Sequence, residues 1–377
     1  MDKKELGIYI HIPFCKQKCY YCDFISFANK DEKQEQYINA IKKEIDTYQL
    51  EKYNVTTIYI GGGTPSYIES KYIVELIEKL KNKLKNNVTK FEEIEITIEV
   101  NPGTVTKGKL QDFKSCGINR LSIGLQTTNN NLLKQIGRIH TYEEFLDTYN
   151  WAKEVGFENI NVDLMLGLPN QTIKDLKDSL ENVIKLGAKH ISVYSLIVEE
   201  GTVISKLLDE GKVQLPSEET EREMYWYVKN TLELNGYKHY EISNFAKENK
   251  YSKHNMNCWK QEEYIGLGVA AHSYLNNTRF SNGNDIENYI NNVENKDVEE
   301  IQTLEDKQNE FMLLGLRMLD GVNIAVFKQK FGQNPIYLYK DKLNELVEEG
   351  LLIVDLNHIR LTNKGLDLAN LVFEEFV

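Results

Sequence analysis

The chain has 377 residues, of which 41% are hydrophobic, and its formal net charge is −12. This length suits two or three domains, or one large α/β barrel with an appendage. The acidic balance argues against nucleic acid or an anionic membrane as the main partner, because both attract basic surfaces. No run approaches the ~18 apolar residues of a membrane span, and the first residues lack the apolar stretch of a signal peptide. We therefore expect a cytoplasmic protein.

Short runs rich in Ile, Val, Leu and Tyr recur along the first 200 residues, with helical patterns between them. Alternating strands and helices predict a parallel sheet, and six units are too few for a closed barrel of about 250 residues. An open partial barrel and a doubly wound sheet both fit, and both bind ligands at the carboxyl ends of their strands. The predicted strands are Leu6–His11, Thr56–Ile60, Ile94–Val100, Arg120–Gly124, Ile160–Met165 and His190–Leu196.

The pattern changes beyond residue 200, and we divide the chain into domains at 1–200, 201–300 and 301–377. The middle part is expected to close the barrel mouth, and the Asn-rich stretch Asn282–Lys296 reads as a solvated connection. The last part has helices followed by a short hairpin, as in a winged-helix fold. Because acidic residues outnumber basic ones over Lys340–Val377, we interpret it as a packing or docking domain rather than a DNA-binding one.

Three of the five cysteines, Cys15, Cys19 and Cys22, follow the first predicted strand as C-x3-C-x2-C. In a reducing compartment such a cluster favours metal binding or catalysis over disulfides. Three thiolates can hold three irons of a cubane cluster and leave the fourth iron open. A structural zinc site would need a fourth ligand. His11 lies nearby, but within a predicted strand.

At these residues the chain resembles the radical S-adenosylmethionine (SAM) superfamily. The flanking run Ile10-His-Ile-Pro-Phe-Cys15 is similar to that of the oxygen-independent coproporphyrinogen III oxidase-like family, which includes heme chaperones of the HemW type. The resemblance implies a partial (β/α)6 TIM-like barrel, a [4Fe-4S] cluster held by Cys15, Cys19 and Cys22, and SAM bound at the fourth iron.

Polar residues and glycines recur where the predicted strands end. The run Gly61-Gly-Gly-Thr64 would let a ligand approach the backbone closely, and buried carboxylates such as Glu99 and Asp163 must be paired. Taken singly, each could be structural; together they converge on one pocket. The resemblance implies that ten residues contact SAM. Three of these assignments, Tyr9, Tyr21 and Ile197, rest on the resemblance alone. The full set is Tyr9, Tyr21, Gly62, Gly63, Thr64, Glu99, Gln126, Arg138, Asp163 and Ile197.

One departure from the oxidase and one likeness to the chaperone bear on the choice between them. The cysteine motif of the oxidase is C-x3-C-x2-C-x-C, and in this sequence Phe24 takes the place of the fourth cysteine. The chaperone type has a His-Asn-x-x-Tyr-Trp motif, which this chain approaches as His254-Asn-Met-Asn-Cys258-Trp259. Imidazole is a common axial ligand of heme iron, so His254 is the first heme candidate, with His272 and Cys258 as alternatives.

These observations predict a heme chaperone that carries a [4Fe-4S] cluster and SAM, binds heme and passes it to an acceptor haemoprotein. The alternative is an oxygen-independent coproporphyrinogen III oxidase or another radical SAM enzyme acting on a tetrapyrrole. A third interpretation is a cluster-binding or zinc protein without chemistry. The sequence identifies no catalytic acid or radical donor.

Overall fold

Six parallel strands form the centre of the molecule, and the other elements pack around them. The computed structural model describes residues 3–377, and only the backbone of residues 298 and 299. The parallel strands are neighbours in the order β1-β4-β5-β6-β7-β8, which confirms the predicted partial barrel. The strands of this region are β1 (Glu5–Ile12), β2 (Phe14–Cys15), β3 (Phe27–Ala28), β4 (Asn54–Gly62), β5 (Glu95–Val100), β6 (Arg120–Gln126), β7 (Asn159–Leu166) and β8 (His190–Ser195).

Helices cover the outer face of these strands, and all but one of them bury an apolar stripe against the strands. They are α1 (Gln34–Thr47), α2 (Ser70–Lys83), α3 (Lys107–Cys116), α4 (Asn130–Gln135), α5 (Tyr142–Val155) and α6 (Ile173–Lys185). The exception is α4, whose Leu132 packs with Met165. Capping side chains or glycines determine where several of these helices begin or end. In α5, the Thr141 hydroxyl accepts from the Glu144 amide at the start, and Gly156 at φ 92° ends the helix.

Residues 201–300 extend the sheet at both of its edges. Strands β9 (Lys238–Glu241) and β10 (Asn244–Ala246) continue it beyond β8, and β11 (Tyr264–Leu267) pairs in parallel with β1. The remaining elements are α7 (Val203–Asp209), α8 (Glu218–Leu234), α9 (Lys253–Trp259), β12 (His272–Leu275), β13 (Thr278–Asn282), α10 (Ile286–Asn291) and β14 (Lys296–Ile301).

Two expectations for this region need correction. The Asn282–Lys296 stretch is not a solvated connection, because Asn282, Ile286 and Tyr289 are buried. Asn282 and Tyr289 donate to the buried carboxylate of Glu44, which also pairs with Lys296. The middle part also does not close the mouth as a whole. Its beginning does lie there, where the Ile204 amide bonds to Tyr20 of the cysteine loop, and the rest flanks the sheet.

The carboxyl-terminal region has its own apolar core and a three-stranded sheet in the order β15-β17-β16. Helices followed by a hairpin confirm the winged-helix-like prediction, and the boundaries near residues 200 and 300 stay predictions. Among residues 3–377, no helix has the length and apolar character to cross a bilayer. The elements are α11 (Leu304–Gly315), β15 (Val322–Asn323), α12 (Ile324–Phe331), α13 (Pro335–Leu338), α14 (Lys340–Glu348), β16 (Leu352–Val354), β17 (His358–Leu361), α15 (Asn363–Asp367) and α16 (Ala369–Glu374).

Candidate functional site

The three clustered cysteines line one cavity of about 430 Å³ at the carboxyl ends of the barrel strands. Cys15 is buried in β2, and Cys19 and Cys22 are half-buried in the loop that follows. The Thr64 hydroxyl donates to Cys15 Sγ over 3.5 Å, and Arg138 Nη1 donates to Cys19 Sγ over 3.6 Å. Burial raises the pKa of the Cys22 thiol to about 11. The three sulfurs therefore face the same space.

The cysteine loop is held from behind by His11. Its Nε2 donates to the Ile25 carbonyl over 2.8 Å, which leaves Nδ1 to accept from the Tyr9 hydroxyl at 3.0 Å. Burial lowers the pKa of His11, so the neutral ring with one proton fits both bonds. Because both ring nitrogens are engaged inside the fold, His11 is not a fourth metal ligand here, and Tyr9 points to His11 rather than lining the cavity.

The glycine run after β4 brings backbone, rather than side chains, to the cavity. Gly62 has φ 110°, and a Cβ there would lie 2.5 Å from the His11 ring. A Cβ on Gly63 would lie 3.0 Å from Cys15 Sγ. Glycine is therefore required at both positions, because His11 and Cys15 leave no space for a side chain.

Glu99 at the end of β5 is the carboxylate closest to this glycine run. Its Oε2 accepts from the Gly62 amide at 3.2 Å and its Oε1 from the Tyr59 hydroxyl at 2.9 Å. Burial raises the pKa of Glu99 to about 7, against the opposing effect of the bond from Tyr59, and the charge of Asp163 raises it further. This carboxyl group therefore changes its charge near neutral pH.

Arg138 fastens the next strand to the cysteine loop. Its Nη2 donates to the Gly124 carbonyl over 2.6 Å and to Asn101 Oδ1 over 3.0 Å. Gln126, which follows a bulge in β6, adopts φ 72° and lines the same cavity. A non-glycine residue at positive φ is uncommon and marks a functional or strained position.

Asp163 of β7 completes the ring of polar groups. It accepts from Ser122 at 3.1 Å and from Asn161 Nδ2 at 2.7 Å, and burial raises its pKa. Both carboxylate oxygens keep free acceptor positions toward the cavity. The structure thus brings together most of the expected contacts, namely Tyr21, Gly62, Gly63, Thr64, Glu99, Gln126, Arg138 and Asp163.

Ile197 and His254 lie elsewhere. Ile197 follows the end of β8 with 69% of its surface exposed and does not line the cavity. His254 is only 6% exposed and lies in α9, against the amino-terminal halves of the barrel strands. Its Nδ1 bonds to Thr57 at 2.9 Å and its amide to Glu95 Oε1 at 3.2 Å. A heme cannot reach this imidazole in the present structure, which corrects the expectation of an accessible ligand.

The remaining heme candidates differ in exposure. His272, at the start of β12, is exposed. Cys258 is half-buried in α9, and burial raises the pKa of its thiol to about 11. Trp259 is covered by the guanidinium of Arg317, 4.4 Å from its ring centroid.

Several residues of this region escaped the sequence analysis. Tyr59, Ser122, Met165 and Tyr194 line the cavity from within strands, where an apolar pattern hides them. Arg120 is 2% exposed and lies in the barrel interior, where its charge lowers the pKa of His254, after burial as the main cause. A single Arg within an apolar strand was the available signal, since such a residue is seldom buried.

The donor set fits a [4Fe-4S] cluster with SAM beside it. Three thiols face one cavity, a Cβ on Gly63 would crowd Cys15, and two carboxylates and a guanidinium surround the remaining space. Within residues 3–377, no three His, Cys, Asp or Glu side chains converge as ligands of a single metal ion. Three thiolates that bind three different irons are instead spaced around one face of a cluster.

Comparison with known proteins places the chain in a family. Residues 9–183 match the Radical SAM superfamily, and residues 302–368 match the HemN C-terminal domain. The chain is 39% identical over 376 residues to the heme chaperone HemW of Bacillus subtilis (strain 168), covering 98% of each protein. It is 38% identical over 379 residues to the heme chaperone HemW of Lactococcus lactis subsp. lactis (strain IL1403), covering 100% of this chain and 98% of that one.

A solved structure shares the fold over nearly the whole length. The coproporphyrinogen III oxidase HemN from Escherichia coli, described as a radical SAM enzyme, superposes with a TM-score of 0.84 at 24% identity. The match covers 99% of this chain and 90% of that one. At this identity the likeness supports the architecture, a partial barrel with a carboxyl-terminal domain.

The chain is a radical SAM protein, as the barrel, the cysteine loop and the superfamily match together require. Its cofactors are accordingly a [4Fe-4S] cluster and SAM. Within the superfamily it belongs to the HemW family, because relatives above 30% identity align with it from end to end.

Proposed function

We propose that this protein is a heme chaperone that binds heme and passes it to an acceptor haemoprotein. The observation that carries the proposal is the full-length similarity to two proteins named heme chaperones, in a chain that keeps the three-cysteine cavity. The residue in place of the oxidase's fourth cysteine supports it as well. Phe24 is 63% exposed at the edge of the cavity, where it offers no thiolate.

Cys15, Cys19 and Cys22 would hold the cluster. When bound, the cluster supplies an open iron position and an electron. Arg138 would donate to a carboxylate of SAM, since its guanidinium already reaches Cys19 and lines the cavity. The other proposed SAM contacts are Tyr21, Gly62, Gly63, Thr64, Glu99, Gln126 and Asp163.

Heme contact is proposed for helix α9. His254 would bind iron after α9 has separated from the barrel strands, because its imidazole is now bonded to Thr57 and stacked on Tyr59 with centroids 5.2 Å apart. Burial lowers the pKa of His254 to about 4, so the enclosed ring is neutral.

The proposed location is the cytoplasm. All five cysteines are free thiols in the described part of the chain. A three-thiolate cluster site requires reduced cysteines, which a reducing compartment maintains.

Anaerobic reconstitution followed by heme titration tests the function. The cluster-loaded protein should bind heme in near-stoichiometric amounts, seen as a saturable change in absorbance, and should release it to an apo-haemoprotein. Incubation with coproporphyrinogen III, SAM and a reductant should yield no carbon dioxide. Robust decarboxylation would overturn the chaperone proposal in favour of the oxidase, and failure to bind heme would overturn it directly.

A further inference from the structure

A buried series of hydrogen bonds, here called the relay, joins the cavity to helix α9 through the barrel interior. Asp163 accepts from Asn161 Nδ2 at 2.7 Å, and Asn161 Oδ1 lies 2.6 Å from His190 Nδ1. His190 Nε2 lies 2.7 Å from the Tyr240 hydroxyl, which accepts from the Ser252 amide at 3.2 Å. Asn161, His190, Tyr240 and Ser252 are all buried.

The donor and the acceptor of every hydrogen bond in this relay can be assigned. The Asp163 carboxylate only accepts, so the Asn161 amide nitrogen faces it and the amide oxygen faces His190. His190 therefore carries its proton on Nδ1 and accepts at Nε2 from the Tyr240 hydroxyl. Burial lowers the pKa of His190 well below its usual value, in keeping with a ring that has a single proton. All donors point toward the cavity, from Ser252 to Asp163.

The two ends of the relay lie at the cavity and at the start of helix α9. Asp163 lines the cavity and has free acceptor positions there. Ser252 is the residue before α9, where its side chain caps the helix, and the next two residues are Lys253 and His254. A second route reaches the same helix, since Tyr59 donates to Glu99 and its ring stacks on His254.

We propose that His190 and Tyr240 are positioning residues that couple the occupancy of the SAM cavity to the attachment of α9. The inference rests on SAM binding in that cavity, as proposed above. A ligand donor that binds at the free acceptor positions of Asp163 draws charge from that carboxylate and so weakens its bond from the Asn161 amide. If that amide turns, His190 and Tyr240 must reorient or leave Ser252 unpaired. An unpaired buried amide is unfavourable, so the state of this bond affects how often α9 separates from the strands.

Hydrogen exchange of the amides of residues 252–260 tests the coupling. It is measured in the cluster-loaded protein with and without SAM, in the absence of a reductant so that SAM stays intact. In the wild type, SAM should change the exchange rate of these amides by about fivefold or more, the lower end of ordinary coupling between two sites.

Tyr240→Phe removes the relay hydroxyl and little volume, and should abolish most of the SAM-dependent change. Tyr237→Phe is the matched control, because the Tyr237 hydroxyl is buried nearby but donates to the Ala188 carbonyl outside the relay. This control should keep the wild-type response. The comparison uses the difference caused by SAM, so a change in the baseline exchange of either variant does not affect it.

A second pair of variants guards against misfolding of Tyr240→Phe. Ser252→Pro removes the amide donor at a residue whose φ of −72° suits proline, whereas Ser252→Ala keeps that amide. Only the proline variant should lose the SAM response. Retention of the response in both Tyr240→Phe and Ser252→Pro would overturn the relay. A wild type that binds SAM with unchanged exchange would overturn the relay alone, and one that binds no SAM would overturn the cofactor site as well.

Discussion

At the carboxyl ends of β4 and β5, Gly62 and Glu99 face an open cavity, whereas in the amino-terminal halves of the same strands Thr57 and Glu95 are bonded to His254. Both regions contain titratable groups buried among strands. In the first, several acceptor positions remain free. In the second, α9 lies against Thr57 and Glu95, and His254 is enclosed.

The difference shows that a polar residue in a strand becomes a binding residue only where the neighbouring elements leave it accessible. Gly61 at the carboxyl end of β4 presents no side chain to Glu99. Helix α9 covers Glu95 instead. Four substitutions test this division between an open end and an enclosed end of the barrel, and Cys19→Ala has the largest expected effect.

Cys19→Ala should abolish iron loading, because two thiolates cannot hold three irons of a cluster. Iron and sulfide per chain after anaerobic reconstitution provide the measurement. Cys258→Ala is the control at the enclosed end and should load as the wild type does. A Cys19→Ala protein with a full cluster would remove this loop from the cofactor site.

Glu99→Gln should weaken SAM binding by about tenfold or more, since hydrogen bonds to charged groups contribute about 1.5–3 kcal/mol. The pKa of Glu99 is about 7, so its carboxylate is ionised above that pH and neutral below it. The SAM affinity of the wild type should therefore rise between about pH 6 and 8 and level off above. Equilibrium binding across this range, without a reductant, is the measurement. An equally steep profile in Glu99→Gln would contradict the assignment.

His254→Ala should weaken heme binding by about tenfold, or about 1.4 kcal/mol, and leave the iron content unchanged. The iron content of the cluster should not change, because His254 lies at the enclosed end, away from the cluster cysteines. Heme titration followed by absorbance measures the effect, with His272→Ala as the exposed control that keeps its affinity. If His272→Ala loses heme and His254→Ala does not, the ligand lies on β12 and α9 need not open.

Tyr59→Phe changes a side chain that contacts both ends, because its hydroxyl bonds to Glu99 and its ring stacks on His254. Its hydroxyl lowers the pKa of Glu99, so its removal should move the midpoint of the pH profile upward. The shift should be roughly half to one pH unit, since a hydrogen bond contributes about 1 kcal/mol and one unit corresponds to 1.36 kcal/mol. Tyr237→Phe should leave the midpoint in place. An unchanged midpoint in Tyr59→Phe would mean that this bond does not stabilise the charged carboxylate.

Much of the open end follows from the order of residues along the chain. Parallel strands place their carboxyl ends along one edge, so residues that follow successive strands must meet. That reasoning found Glu99, Arg138 and Asp163 before any coordinates. It missed Tyr59 and Ser122, which reach the cavity from within strands whose pattern is apolar.

The enclosed end depends on contacts between distant parts of the chain. Glu44 bonds to Asn282 across 238 residues, so the polar stretch that follows Asn282 has a buried partner that local sequence does not reveal. His254 is enclosed because Thr57 and Glu95, far earlier in the chain, receive it. Periodicity and composition carry no information about such pairs.

The sequence by itself determined the six strands of a parallel sheet, the three-cysteine loop and the glycine run, because strand period, ligand spacing and backbone freedom are local properties. The choice of a partial barrel over a doubly wound sheet came from the family resemblance. Tertiary structure alone decided that Ile197 lies outside the cavity, that His254 is buried, and that Asp163 is joined to Ser252 through His190 and Tyr240. Accessibility and hydrogen-bond partnership arise when remote segments pack together, and burial then sets which polar groups remain free to bind.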